Sequence, residues 1–209
     1  MAIDRNKVIS DMSKVQAEAN QDGLIPAFNV LVNQMPADFW NQFSIRMIEA
    51  VADDLKDAVE ELLVNAAHEC GYHTGYGIIT SKEWDAVVKP MVGGVEDVLH
   101  GAYAVFTAWG WAKSEIVELV PGQKMVVRAY DLYEADIAQA YPGKKAPRMM
   151  SYMVRGVSAA FMDLAYGGAY DPAGKSGLYT FRCKQTKGIE CGDAYSEFVV
   201  VKAAEYEKL

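Results

Sequence analysis

The sequence predicts an α+β fold, with N-terminal helices and one inserted helix packed on a four-stranded, mostly antiparallel sheet. Two observations predict it. Apolar residues recur at intervals of three and four through much of the first half of the chain and again between residues 149 and 164, as they do in amphipathic helices. The stretches on either side of Pro121-Gly122, and two more near the C-terminus, have the length and turn residues of β-hairpins.

The N-terminal half is predicted to be mainly helical. Residues 4–21 suit a polar helix that ends before Gly23, and residues 26–32 suit a short strand. Pro36 fits the first position of a helix. The apolar series after it predicts one long amphipathic helix that ends at about Gly71. The series consists of Ile48, Val51, Leu55, Val59, Leu62 and Ala66.

Shorter elements are predicted after this helix. Residues 71–77 are expected to form a loop, and Thr80 with Glu83 forms a capping box for a second helix. Pro90 interrupts that helix. The later predicted elements are a helix over residues 95–108, strands over 114–120 and 124–131, a loop over 135–145, a helix over 149–164, and strands over 178–183 and 190–201.

The last hairpin is predicted to bring two cysteines together. A three-residue loop that ends in Gly188 fits a type I turn closed by a glycine in the left-handed region. This register pairs Lys184 with Glu190, which have opposite charges, and Cys183 with Cys191. Two facing thiols can form a disulfide, hold half of a metal site, or simply pack.

Length and charge limit the domain organisation and the partners. The chain has 209 residues, 51% of them hydrophobic, enough for one domain with an appendage. We expect an N-terminal helical extension over residues 1–44 and a small-molecule-binding domain over 45–209. The net charge of −8 argues against nucleic acid and against an anionic membrane surface as partners. No signal peptide or membrane span is apparent, so we expect a cytoplasmic protein with reduced thiols.

A zinc site is one hypothesis for the cysteines. Cys70 and His73 are three residues apart, and together with Cys183 and Cys191 they make up a Cys3His set that suits tetrahedral zinc. The alternatives are that these residues pack in the core, or that Cys70 forms a thiolate–imidazolium pair with His73 or His100.

An apolar pocket is the second hypothesis. Aromatic and methionine side chains on two helices that cover one sheet suit an adaptable pocket for a hydrophobic molecule, although a core needs the same residues. An arginine could bind a ligand carboxylate. The candidates are Tyr103, Phe106, Trp109, Trp111, Met149, Met153 and Arg155. Residues 169–176 partly match the sequence of a phosphate-binding loop. Such a loop follows a strand and precedes a helix, whereas here a helix precedes and a strand follows, so we expect a turn.

Three segments resemble the 4-vinyl-reductase-type domains, a family of small-molecule- or hydrocarbon-binding modules. They are the helix end at residues 66–75, the glycine–aromatic step at residues 108–115, and two cysteines eight positions apart, Cys183 and Cys191. A further cysteine of the family is replaced by Ser151, and the phenylalanine expected after the second hairpin cysteine is Asp193. The full cysteine set of the family is therefore absent in this chain.

The resemblance implies a fold shared with heme-based nitric-oxide-binding domains and vesicle-tethering subunits, with a hydrophobic cavity between helices and sheet. It does not imply heme, because the Tyr-x-Ser-x-Arg signature is missing. We therefore expect a sensor or accessory module for a small hydrophobic, aromatic or carboxylated molecule rather than an enzyme. The alternative is a zinc- or thiol-dependent enzyme or enzyme accessory with reductase-like chemistry. We expect a homodimer, formed through an apolar face of the first long helix.

Overall fold

The computed structural model describes residues 3–137 and 140–209 and confirms the α+β fold, with helices packed on a four-stranded antiparallel sheet. Part of the loop predicted over residues 135–145 lies outside the described residues. The helices are α1 (Arg5–Met12), α2 (Ala37–Glu49), α3 (Lys56–Ile79), α4 (Lys82–Val87), α5 (Val95–Ala108) and α6 (Tyr152–Tyr166). The strands are β1 (Ile25–Ala27), β2 (Val30–Val32), β3 (Ala112–Val120), β4 (Lys124–Leu132), β5 (Phe181–Lys187) and β6 (Ser196–Lys202).

The main sheet has the strand order β3-β4-β6-β5, and all three pairings are antiparallel. Helices α5 and α6 cover one face. Alternate residues of β4 and β6, among them Met125, Val127, Phe198 and Val200, are fully buried beneath them. On the other face three valines pack with Tyr206 from the C-terminal 3-10 helix. The sheet is therefore apolar on both faces at its centre.

Helix α3 continues through the segment that was predicted to be a loop. A Cβ atom added to Gly71 would lie 2.9 Å from the Cα atom of Val157 on α6, and one added to Gly75 would lie 2.7 Å from Leu164. These glycines therefore allow α6 to pack closely against α3, and they do not end the helix. The helical propensity lost at each glycine is about 1 kcal/mol, which packing along a 24-residue helix can offset.

Three other helix predictions need correction. The first helix stops at Met12 and does not reach residue 21. The long helix predicted from residue 36 onward is two helices, α2 and α3, because Ala52 is extended and Asp53 begins a short 3-10 turn. The N-cap of α4 is Ser81, whose hydroxyl oxygen accepts a hydrogen bond from the amide of Trp84 over 3.1 Å, and not Thr80.

The predicted register of the C-terminal hairpin is wrong. Cys183 lies opposite Val200, and Lys184 lies opposite Val199. Cys191 lies outside both strands, in a 3-10 turn that ends at Gly192 with φ of +98°. The left-handed glycine of this connection is thus Gly192 and not Gly188, so β5 extends farther and β6 begins later than predicted.

The N-terminal residues pack on the same body as the sheet. Helix α1 contacts α5, and the β1–β2 hairpin contacts α3. The boundary expected between residues 44 and 45 falls inside α2. Among the described residues, no helix is both long and apolar enough to cross a membrane.

Candidate functional site

An apolar cavity lies between α3, α5, α6 and the β1–β2 hairpin. Its volume is about 60 Å³, where a single water molecule needs roughly 10–15 Å³. The cavity therefore has room for several waters. A single aromatic ring would enter only if the walls moved apart, because an apolar cavity that binds benzene measures about 150 Å³. Its lining consists of Phe28, Val30, Val32, Gly71, Thr74, Gly75, Ile78, Ile79, Ala102, Val105, Phe106, Trp109, Trp111, Val157 and Phe161.

The cavity differs in place from the one predicted. The pocket was expected between the helices and the main sheet, but no residue of β3, β4, β5 or β6 lines it. The sheet face is filled by its own core under α5 and α6. Two glycines of α3, Gly71 and Gly75, leave part of the cavity wall without side chains.

The β1–β2 hairpin closes one side of the cavity through a strained turn. Phe28 and Asn29 have φ values of +52° and +58°, the conformation of a type I′ turn, in which phenylalanine is uncommon. The turn directs the Phe28 ring toward α5, where it meets Trp109 edge-on with ring centroids 4.6 Å apart. The hairpin is also held closely, because a Cβ atom on Gly77 would lie 2.7 Å from the carbonyl oxygen of Phe28.

Four aromatic rings, those of Phe106, Trp109, Trp111 and Phe161, form part of the remaining wall, together with aliphatic side chains. Phe106 lies 5.1 Å from Trp111 and 6.3 Å from Phe161, measured between ring centroids. Thr74, Trp109 and Trp111 are the lining residues whose side chains carry a polar atom, and nearly all of the cavity wall is apolar. The Thr74 hydroxyl also lies 3.8 Å from the Sγ atom of Cys70, a weak hydrogen bond. The site can therefore offer flat apolar walls to a small molecule.

The predicted ligand-binding residues fall in different places. Phe106, Trp109 and Trp111 line the cavity. Tyr103 lies behind it, fully buried against Phe106. The Tyr103 hydroxyl donates a hydrogen bond to the Ser158 hydroxyl over 2.8 Å, and burial raises the pKa of this phenol above its usual value.

Met149 and Arg155 line a separate polar groove of about 410 Å³ beside the N-terminus of α3. The Arg155 guanidinium pairs with Glu60, and Arg148 also pairs with Glu60 over 3.1 Å. Met153, the seventh candidate, lines neither the cavity nor this groove. Arg155 therefore belongs to an ion-pair network and does not reach the apolar cavity.

The four candidate zinc ligands are dispersed. Cys70 is exposed on α3, and the Nδ1 atom of His73 makes a 2.8 Å hydrogen bond with the Tyr170 hydroxyl. Cys183 is fully buried in the core under the sheet, where burial raises the pKa of its thiol to about 12. Cys191 is half-buried beside the loop before α6. Across residues 3–137 and 140–209, no group of three or more His, Cys, Asp or Glu side chains is arranged to hold a metal ion.

A buried hydrogen-bonded cluster occupies the region where the resemblance places a cysteine. Ser151, at the start of α6, donates from its hydroxyl to Oε1 of Glu190 over 3.3 Å, and its amide donates to Gln185 over 3.2 Å. The amide of Met150 and the side-chain amide of Gln185 also donate to Oε1 of Glu190. This cluster joins α6 to the β5–β6 connection through hydrogen bonds.

Sequence reasoning missed the part of the site that lies on α3 and on the β1–β2 hairpin. Phe28, Val30 and Val32 were read only as a short strand. Gly71 and Gly75 were read as the end of a helix. The signal that could have found them is their spacing of four residues, which puts both glycines on one helix face where a second helix can approach.

Comparison with known proteins supports the fold. No protein-family model matches the chain, and no curated protein matches it. The phenol-responsive sensory domain of the transcription activator PoxR, solved with phenol, is similar with a TM-score of 0.71 and 12% identity over 100% of this chain and 94% of that one. A trafficking protein particle complex subunit 3 from Naegleria fowleri, covalently bound to palmitic acid, is similar with a TM-score of 0.54 and 12% identity, over 79% of this chain and 92% of that one. At this identity both likenesses show the fold alone, and it is the fold expected from the resemblance to vesicle-tethering subunits.

Proposed function

We propose that this chain is a sensor or accessory module that binds a small, uncharged, apolar molecule about the size of one aromatic ring. The observation that carries the proposal is the cavity between α3, α5, α6 and the β1–β2 hairpin, which is lined by aromatic and aliphatic side chains. Ligand pockets typically combine such walls with a few polar groups. The likeness in fold to a phenol-responsive sensory domain supports a ligand with a single ring.

The charge of the ligand follows from the lining. No lysine, arginine or histidine is among the residues that line the cavity. A buried carboxylate without a cation or several donors is unfavourable by several kcal/mol. We therefore favour a neutral molecule, such as a phenol, over the carboxylated one that Arg155 would have suited.

Calorimetric titration with phenol, toluene and benzoate as probes tests the proposal. We expect heat of binding with phenol and toluene and none with benzoate. Ala102→Leu should fill the cavity and weaken phenol binding at least about tenfold, since the added methyl groups take the ligand's place. Ala108→Leu is the matched control on α5, because Ala108 is partly buried but does not line the cavity.

A second variant tests whether the Thr74 hydroxyl forms a hydrogen bond with the ligand. Thr74→Val keeps the shape of the side chain and removes its hydroxyl, so phenol should bind about three- to tenfold more weakly while toluene is unaffected. Equal binding of phenol to the wild type and to Ala102→Leu would contradict the proposal.

We further propose that the chain belongs to the 4-vinyl-reductase-type family, which the shared fold class and the residues quoted above support. We also propose a cytoplasmic location, without nucleic acid or membrane as a partner, and a homodimer. Zinc at Cys70, His73, Cys183 and Cys191, and the thiol- or zinc-dependent enzyme built on it, is less favoured because these residues lie in different environments.

A further inference from the structure

Helix α2 is apolar on both its inner and its outer face. Ile45 and Ile48 are buried against α3 and the loop before α6. On the opposite side Phe39 and Phe43 are 45% and 46% exposed, and their rings lie parallel with centroids 6.4 Å apart. Trp40, 36% exposed, meets Phe39 edge-on. A cluster of large apolar side chains that is left exposed on a helix commonly marks an interaction surface.

The outer face of α2 forms a shallow groove of about 620 Å³. Phe39, Phe43 and Met47, spaced by four residues, form its apolar stripe. The charged side chains among its lining residues are Asp38 and Arg46, which have opposite signs. They are separated by about 12 Å along the helix, at 1.5 Å per residue. The groove is thus neutral in a chain whose net charge is −8.

We infer that this groove is the contact surface of a homodimer, in which α2 packs antiparallel against α2 of a second copy. A two-fold axis near Gln42 places Asp38 of each copy beside Arg46 of the other, and it brings the two Phe43 side chains together at the centre. A two-fold contact requires such a self-complementary surface. In antiparallel packing the two helix dipoles also point in opposite directions, which is electrostatically favourable.

The local charges are compatible with this arrangement. Arg46 pairs within its own helix with Glu49 over 2.9 Å, but its side chain is 71% exposed. An exposed pair of this kind contributes little, so the guanidinium can turn to a partner carboxylate at small cost. A neutral contact also keeps the repulsion between two acidic chains low. This inference rests on the homodimer proposed above and names its contact surface, which is distinct from the ligand cavity and does not depend on ligand binding there.

Sedimentation equilibrium of the full chain over a range of concentrations tests the inference. We expect a dimer for the wild type. Phe43→Asp should raise the dissociation constant at least about 100-fold, because it places two carboxylates together at the centre of the contact. Leu62→Asp is the control, since Leu62 is 59% exposed on α3. Far-ultraviolet circular dichroism should show that both variants are folded.

Charge exchange tests the antiparallel register. D38R and R46D alone should each weaken the dimer, because like charges then meet at both ends of the contact. An equimolar mixture of the two variants should form a heterodimer, in which opposite charges meet again. A monomeric wild type, a dimer lost with Leu62→Asp but kept with Phe43→Asp, or a mixture that stays monomeric would each overturn the inference.

Discussion

The imidazole of His68 donates a hydrogen bond from Nε2 to Oδ2 of Asp163 over 2.7 Å, and both side chains are fully buried. This pair links α3 to α6. Asp163 also accepts from the amide of Tyr179 over 2.7 Å and from the amide of Phe181 over 2.9 Å. One carboxylate therefore fixes the contact of two helices and the start of β5.

Loss of the Asp163 carboxylate should destabilise the fold strongly. Asp163→Ala leaves three donors, two of them fully buried, without this acceptor, and we expect the free energy of unfolding to fall by about 3–5 kcal/mol, measured by urea denaturation. Asp193→Ala is the control, because Asp193 is exposed and accepts from the amide of Gly188. We expect a loss of about 1 kcal/mol there. Similar losses in both variants would show that the carboxylate of Asp163 is not the central link.

The close contact of α3 and α6 depends on Gly156. A Cβ atom at this position would lie 2.5 Å from the amide nitrogen of His68 and 2.5 Å from the carbonyl oxygen of Val64, both backbone atoms. Gly156→Ala should therefore force the helices apart and lower stability by about 3 kcal/mol. Gly93→Ala, whose Cβ atom would meet only the end of the Asp97 side chain at 3.4 Å, should change stability by less than about 1 kcal/mol. Thermal unfolding of both variants provides the comparison.

The buried Glu134 should make stability depend on pH. It accepts hydrogen bonds from the amides of Met153 and Val154 at the start of α6, but burial outweighs them and raises its pKa from 4.5 to about 8. A raised carboxyl pKa means that the folded state binds the proton more tightly than the unfolded state. The stability that the protonated Glu134 adds to the fold is therefore fully present below pH 4.5. It is lost as the pH rises toward 8, at no more than about 1.4 kcal/mol per pH unit.

Glu134→Gln isolates this effect. In this variant the free energy of unfolding, measured by urea denaturation, should not show the decrease between pH 5 and 8 that Glu134 causes. Its overall stability should be lower, because the amide group cannot accept both hydrogen bonds. Glu18→Gln, at an exposed position, should leave the slope unchanged. An unchanged slope in Glu134→Gln would mean that this carboxyl group does not titrate in the window.

The three thiols should differ in reactivity. Cys70 is exposed, Cys191 is half-buried, and Cys183 is fully buried with its thiol pKa raised by burial to about 12. With a disulfide reagent at pH 8, we expect Cys70 to react first, Cys191 more slowly, and Cys183 only on unfolding.

A zinc site would give a different result in the same assay. If Cys70, Cys183 and Cys191 held zinc, all three thiols would be protected until a chelator was added, and stoichiometric metal would accompany the native protein. Metal analysis of protein purified without chelator should be combined with the thiol titration. Protection of Cys70 that a chelator removes would contradict the thiol order predicted above.

The fold class, the β3–β4 hairpin and α5 follow from the sequence because they depend on local signals. Pro121-Gly122 is a turn signal, and Gly122 indeed has a φ of +65°. The apolar spacing between residues 95 and 108 predicts α5 with the bounds that are observed. For the hairpin and α5, residue type and spacing are enough. Phe106, Trp109 and Trp111 line a cavity, but not one against the main sheet, and their role in ligand binding stays a prediction.

Tertiary contacts decided the course of α3, the register of β5 with β6, and the position of the cavity. Gly71 and Gly75 have the local signature of a helix end, yet they remain helical because α6 needs the space that a side chain would fill. The register of β5 with β6 was decided by an eight-residue connection that buries Glu190, which brings Cys183 opposite Val200 and separates it from Cys191. The cavity joins residues as far apart in the chain as Phe28 and Phe161. Sequence spacing determines which residues share a helix face or a turn, but only packing decides which faces meet and where space is left between them.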